Sequence, residues 1–249
     1  MGWIKSFALA NRRMRERFDS RFPRFVAYPS YHDDLQERVA QTLKEGVDVV
    51  LEAGGVDRPQ LSRGSGFRYV GLDIDDRPRC HEVYDEFICQ SVEEEIPGKY
   101  DLILSAYLLE HVPDNGRSFK SMYDALEPGS WMHHYIPGAN HPYSWVLRLV
   151  GPRLQKVLIR NLRPAAVGHT GYPTFFSYCT VAKVRKLCDR TGFSEVAIEP
   201  YYSAAQYFSF FLPFYVLIVF FENTCRKLGI DIFASGFVIS ARKPESARE

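Results

Sequence analysis

The chain has 249 residues, 46% of them hydrophobic, and a formal net charge of +1. That is enough apolar material for one large domain with a buried core, and the near-neutral balance excludes a general nucleic-acid binder. The five cysteines, Cys80, Cys89, Cys179, Cys188 and Cys225, show no Cys-x-x-Cys spacing, so neither a zinc site nor a disulfide framework is indicated and a reducing cytosol fits.

Residues 1–29 form a basic amphipathic segment. Trp3, Phe7, Ala10, Met14 and Phe18 recur at helical spacing, while Lys5, Arg12, Arg13, Arg15 and Arg17 fill the other faces. Such a helix can lie on an anionic membrane surface, or pack its stripe on the domain with its arginines solvated. No apolar run follows the basic start, so no cleavable signal peptide is expected. Gly2 with Ser6 matches the short N-myristoylation pattern. A second helix is predicted from Ser30 to Glu45, with Ser30 and Asp33 as a capping box and Leu35, Val39 and Leu43 on one face.

The stretch from Val47 to Asp73 holds two apolar runs, with Glu52 and the pair Gly54-Gly55 after the first and Asp73 at the tip of the second. Two buried strands arranged this way form half of a nucleotide site. A dinucleotide site needs Gly-x-Gly-x-x-Gly running into a helix that holds a pyrophosphate. Here the turn reads Gly54-Gly55-Val56-Asp57-Arg58-Pro59, and Asp57 would repel a phosphate. A cofactor without phosphate, such as S-adenosylmethionine (SAM), is therefore favoured. Residues 58–67 are poor in helix formers, so the helix that normally follows such a turn is expected to be short or absent.

A third strand is predicted near Phe87-Ile88-Cys89, followed by Glu93 to Glu95 as a solvated helix start. Tyr100 to Ser105 reads as a buried fourth strand, then Asp114 caps a helix to Leu126 whose inner face is Phe119, Met122, Tyr123 and Leu126. Pro128-Gly129 turns into a fifth strand, Trp131 to Ile136. Residues 138–179 form a lid-like insertion at the carboxyl edge of the sheet, where ligands bind in this architecture. Thr180 caps a helix from Val181 to Thr191 that stops at Gly192. Glu195 to Glu199 and Phe237 to Ala241 are the last two strands.

Between those two strands, residues 203–233 form a hydrophobic insertion. From Ala204 to Phe221 there is no charged residue, which by length alone is a borderline membrane span. A chain leaving and rejoining one sheet must return on the side it left, so the expectation is a monotopic dip into one leaflet. Pro213 would kink the helix, Arg226 and Lys227 would sit at headgroup level, and the active-site mouth would face the lipid. The alternative is a buried core helix or a dimer interface.

The run YDLILSAYLLEHVPD followed by ALEPGSW resembles the class I SAM-dependent methyltransferases, in particular the large type 11 group. The resemblance covers about residues 45–137. It implies an α/β, Rossmann-like domain over residues 30–249, with a seven-stranded sheet, the last strand antiparallel and helices on both faces. It also implies that Glu52, Gly54 and Gly55 border the methionine end of SAM, that Asp73 holds the ribose, that Ser91 and Val92 flank the adenine, and that Ser105 and Ala106 lie beneath the sulfonium. The chain departs from the group in having Val56 where a second glycine is usual and Ser91 where an Asp is usual.

Methyl transfer to oxygen or nitrogen requires a proton to leave, and a histidine near neutral pH can take it. His111, His133, His134, His141 and His169 fall in suitable places. His133 and His134 are strand neighbours, so only one can face a site. His141 and His169 are the preferred bases because both lie in the lid-like region, with His111 a third candidate. No metal is expected, since no Asp/Asn set gathers at the strand ends. The sequence thus predicts a cytoplasmic methyltransferase, peripheral or monotopic on the cytoplasmic membrane, acting on a small-molecule or lipid-linked acceptor and not on nucleic acid. The alternatives are a non-catalytic membrane-associated protein of the same fold and a nicotinamide-dependent oxidoreductase.

Overall fold

The computed structural model describes residues 2–146, 148–149 and 172–245. The chain divides into two compact units. One comprises Ser30–Pro137, Phe175–Glu199 and Phe237–Glu249, and the other Met1–Pro29, Gly138–Thr174 and Pro200–Gly236.

The first, the sheet unit, is built on seven strands: β1 (Val49–Ala53), β2 (Arg68–Asp73), β3 (Glu86–Cys89), β4 (Tyr100–Ala106), β5 (Leu126–Pro137), β6 (Ser194–Tyr201) and β7 (Gly236–Arg242), in the order β3-β2-β1-β4-β5-β7-β6. Pairs β2/β3, β1/β2, β1/β4 and β4/β5 are parallel. The Lys243 N–H donates to the Ser130 carbonyl at the start of β5, and the Gly138 N–H to the Ser235 carbonyl at its end. β7 therefore runs against β5. It also runs against β6, since the Ser194 hydroxyl reaches the Arg242 carbonyl while the Ser235 N–H reaches the Tyr201 carbonyl.

Strands covered on both faces read as continuous apolar runs, and Val50, Leu51, Leu102, Ile103 and Leu104 are all inaccessible to solvent. Helix α2 (Tyr31–Lys44) starts at Ser30, whose hydroxyl accepts from the Asp33 N–H. Helix α4 (Asn115–Ala125) starts at Asp114, whose carboxylate accepts from the Gly116 and Arg117 N–H groups. Adjacent residues of β5 show that these helices cover opposite faces: His133 bonds to Thr42 of α2, whereas His134 lies beside Phe119 of α4. Helix α5 (Val181–Thr191) ends at Gly192, in the left-handed conformation. No helix forms between β1 and β2, as the composition of residues 58–67 predicts. The acidic run Glu93 to Glu95 forms a turn and not a helix start, because Pro97 and Gly98 follow too closely for a helix to propagate. A single helical turn, α3 (Cys80–Val83), lies before β3 instead.

The second, helical unit pairs α1 (Gly2–Arg21) with α6 (Leu212–Leu228). The Leu212 N–H donates to Asn11 Oδ1 at 2.9 Å, the Tyr215 hydroxyl to Asp19 at 2.8 Å, and the Asn223 amide to the Phe25 carbonyl at 2.7 Å. The core between them is Ala205, Phe208, Tyr215, Ile218 and Val219, with Phe18 and Phe25 packed against it. Two sequence expectations are corrected here. Phe7 and Met14 of the proposed α1 stripe face outward, and Ala8 and Asn11 are the buried positions. Pro213 does not kink a helix but lies in the first turn of one, where its missing N–H is no loss. A short 3-10 turn, Ala205–Phe208, precedes α6, and α6 runs on through the polar residues 223–227. Among the described residues no helix is long and apolar enough to cross a membrane.

Candidate functional site

The parallel register sets Ala53 beside Leu72 and Glu52 beside Leu104, so β1, β2 and β4 end at one edge. The chain leaving β1 turns at Gly54, whose N–H donates to the Leu72 carbonyl at 2.8 Å. This brings the glycine turn alongside Asp73. Gly54 has φ +82 and Val56 has φ +47, so the turn keeps left-handed backbone at the position where valine replaces a glycine. A Cβ on Gly54 would lie 2.8 Å from Leu108, and one on Gly55 would collide with the Tyr84 hydroxyl and come within 2.7 Å of the Glu52 carboxylate.

Glu52 lies under that turn, 1% exposed. Its carboxylate accepts from the Tyr69 hydroxyl, the Tyr84 hydroxyl at 3.3 Å and the Gln60 N–H at 3.0 Å. Burial pushes its pKa up to about 7 against the pull of those donors. These bonds, all to the chain itself, brace the turn from below. Asp73 Oδ1 accepts from the Asp75 N–H at 2.9 Å, and burial raises its pKa. Arg77 bridges the two loops, bonding Asp75 at 2.6 Å and Asp57 at 3.2 Å. The negative charge of Asp57 is therefore neutralised in place.

Ser91 and Val92 follow β3. The Ser91 hydroxyl accepts from the Glu93 N–H at 3.2 Å, and Val92 is buried. Ser105 is buried with its hydroxyl 2.8 Å from His134 Nδ1, one residue before Ala106 ends the strand. A half-buried carboxylate beside a backbone turn that admits no Cβ fits a ribose diol and the adjoining chain of SAM.

The histidines divide sharply. His133 is bonded at both nitrogens, to Thr42 and Ser240 at 2.8 Å each, and burial, then Arg38, pushes its pKa down to about 4. Burial pushes that of His134 to about 3. His141 belongs to the helical unit and is completely buried. Its Nδ1 accepts from the Tyr143 N–H at 3.1 Å, and its Nε2 lies 3.2 Å from Glu222. His169 lies outside the described residues. His111 is partly exposed beyond β4, its Nε2 3.6 Å from Glu110 Oε1.

Glu110 itself is almost fully buried, its Oε2 without a hydrogen-bond partner, and desolvation pushes its pKa up to about 8. A carboxyl whose folded pKa exceeds its unfolded value stabilises the fold below the unfolded pKa. That contribution is lost as pH rises toward 8. Glu110→Gln should therefore flatten the fall in unfolding free energy between pH 4.5 and 8, by a few kcal/mol and at most about 5. Denaturant titrations at both pH values check this; parallel curves for the two proteins would remove Glu110 as a source of that slope.

The sequence marks no role for Tyr31, Tyr107 or Tyr135, yet these three side chains meet beside Ala106 at the carboxyl edge. Arg77 is equally silent in sequence, its only signal being a basic residue among Asp57, Asp73, Asp75 and Asp76.

A family model described as a methyltransferase domain matches residues 12–198, and the chain belongs to that family. The chain thus carries a methyltransferase domain, and the nicotinamide reading is set aside. The ubiquinone biosynthesis O-methyltransferase of Pseudomonas entomophila (strain L48) is 24% identical over 153 residues, and that of Pseudomonas putida (strain W619) 25%. Each alignment covers 54% of this chain and 65% of the relative, so the chain spans less than two thirds of these proteins' length. A SAM-dependent methyltransferase from Archaeoglobus fulgidus shares the fold at a TM-score of 0.53 and 14% identity, over 92% of this chain and 99% of that one.

Proposed function

We propose that the chain methylates an oxygen of a hydrophobic, membrane-linked acceptor while lying on the cytoplasmic membrane surface. The observation that carries this is the outer face of α6. Phe214, Leu217, Phe220 and Leu228 are each more than half exposed on a helix whose other face is already filled by Tyr215, Ile218 and Val219. Beside that face α1 exposes Phe7, Leu9 and Met14, and residues 1–29 carry seven Lys and Arg against two acids. Exposed apolar side chains in a unit with so basic a segment suit an anionic bilayer interface. The O-methyltransferase names of the sequence relatives support oxygen as the acceptor atom.

In the reaction an acceptor O–CH₃ bond forms as the S–CH₃ bond breaks. SAM, once bound, would release its methyl group and depart as the neutral thioether, and the hydroxyl proton would pass to a base. Bound SAM supplies the methyl electrophile. Among the described histidines His111, beside Glu110, is the base we assign, and His141 belongs to the packing of the helical unit. Asp73 holds the ribose, the turn at Gly54 and Gly55 the methionine end, and Ser91 and Val92 the adenine side.

Calorimetric titration of the intact chain with SAM, paired with sedimentation on anionic and on zwitterionic liposomes, tests both halves. Saturable SAM binding and pelleting with anionic vesicles alone are expected. A Phe214→Ser/Leu217→Ser/Phe220→Ser variant should stay in the supernatant with its SAM affinity intact. Equal pelleting of variant and parent, or no pelleting of either, would end the membrane reading and leave a protein partner for that face.

A further inference from the structure

The carboxyl edge of the sheet unit carries an aromatic platform. Tyr107 follows Ala106 at the end of β4, Tyr135 pairs with Ala106 across the β4/β5 register, and Tyr31 opens α2. The rings of Tyr31 and Tyr135 stack with centroids 3.8 Å apart and planes at 21°. Tyr107 stands edge-on to both, at 5.9 Å from Tyr31 and 4.9 Å from Tyr135, and the Tyr31 and Tyr107 hydroxyls are hydrogen-bonded to each other. Tyr135 is buried, but Tyr107 is 43% exposed.

Two further facts mark Tyr107 out. Its φ is +59, a left-handed conformation that costs a bulky residue energy and is normally left to glycine or asparagine. Its N–H reaches the Tyr135 carbonyl at 3.3 Å, which holds the strained turn in place. The chain thus keeps a large ring at a position where its own backbone disfavours one, directly after the strand tip assigned to the sulfonium. An exposed ring edge beside a pair of linked phenols offers a planar aromatic acceptor both a stacking surface and a hydrogen-bond partner for its hydroxyl.

We propose that Tyr107, supported by Tyr31 and Tyr135, binds and orients the methyl acceptor, and that this acceptor is a planar aromatic ring bearing a hydroxyl group. This rests on the methyl-transfer reading above and names its substrate class. Tyr107 touches the acceptor; Tyr31 and Tyr135 are positioning residues that fix the ring and hydroxyl of Tyr107.

The test uses catechol and trans-1,2-cyclohexanediol, which share adjacent hydroxyls and differ in having a planar ring. Each is titrated into the full-length protein with and without S-adenosylhomocysteine, followed by saturation-transfer NMR, and the affinity for S-adenosylhomocysteine is measured by calorimetry. The parent should prefer catechol by about tenfold. Tyr107→Gly, which removes the ring while suiting the backbone, should abolish that preference and leave the affinity for S-adenosylhomocysteine within about twofold. Tyr107→Phe should keep the preference but weaken catechol severalfold, as should Tyr31→Phe, which retains stacking and loses the hydroxyl pair. Should Tyr107→Gly lower the melting temperature, the two phenylalanine variants carry the comparison. Equal binding of the two diols by the parent, or an undiminished catechol preference in Tyr107→Gly, would overturn the proposal. A parent that prefers catechol, with the preference lost in Tyr107→Gly, but that does not bind S-adenosylhomocysteine would support the platform and overturn the methyl-transfer reading instead.

Discussion

Asp73→Ala is expected to abolish measurable SAM binding while leaving the protein folded. Asp73 ends β2, beside the turn that Gly54 makes by bonding the preceding residue's carbonyl. One carboxylate oxygen is anchored by the Asp75 N–H, which aims the group along the sheet edge. A ribose diol donating two hydrogen bonds to a carboxylate gains about 1.5–3 kcal/mol from each. Their joint loss corresponds to at least a hundredfold in affinity and as much as ten-thousandfold. Asp73→Asn keeps an acceptor and should lie between the two. Because burial raises the pKa of Asp73, affinity for SAM in the parent should begin to fall at a higher pH than an ordinary aspartate would give, as protonation removes the charge. Calorimetry on the three proteins between pH 5 and 8 decides it, and an alanine variant that binds like the parent would take Asp73 out of the site.

The sheet was largely legible in the sequence because its signals are local. Buried parallel strands are continuous apolar runs, and Asp114, Ser30 and Gly192 punctuate their helices within three residues of where they act. The antiparallel β7 was legible only through the family resemblance. What was illegible depends on partners far apart in the chain. Tyr31, Tyr107 and Tyr135 are ordinary tyrosines until the β4/β5 register and the start of α2 bring them together. Helical periodicity in α1 finds an apolar stripe but not its direction. Ala8 and Asn11 face the core because Asn11 caps the start of α6, while the larger Phe7 and Met14 point away. Pro213 is expected to kink a helix, but it lies in the first turn of one, where its fixed φ and missing N–H are tolerated, and the helix runs on to Leu228, where left-handed Gly229 ends it.

The largest stability effect is expected at Glu222 and His141, both inaccessible to solvent in the helical unit. Glu222 Oε1 accepts from the Ala204 N–H at 2.6 Å and lies 3.2 Å from His141 Nε2, at an angle short of a hydrogen bond. The N–H of Tyr143 bonds His141 Nδ1, which leaves the ring proton on Nε2, facing the carboxylate. Burial, and then the nearby Glu222 charge, raise the pKa of the Tyr28 phenol above the ordinary tyrosine range. Removing His141 strands a buried carboxylate, and removing Glu222 strands both the imidazole N–H and the Ala204 N–H, each at a cost of about 3–5 kcal/mol. His141→Ala and Glu222→Ala should each lose that much in denaturant unfolding. Glu222→Gln should lose less, since it retains an acceptor for Ala204. The double variant His141→Phe/Glu222→Leu should recover most of the loss, because two apolar side chains leave no uncompensated charge. It should fall short of the parent by about 1–3 kcal/mol for the orphaned Ala204 N–H. A general base would behave differently: His141→Ala would then unfold like the parent while turnover fell about a hundredfold or more, and that combination would return His141 from the packing of the helical unit to the chemistry.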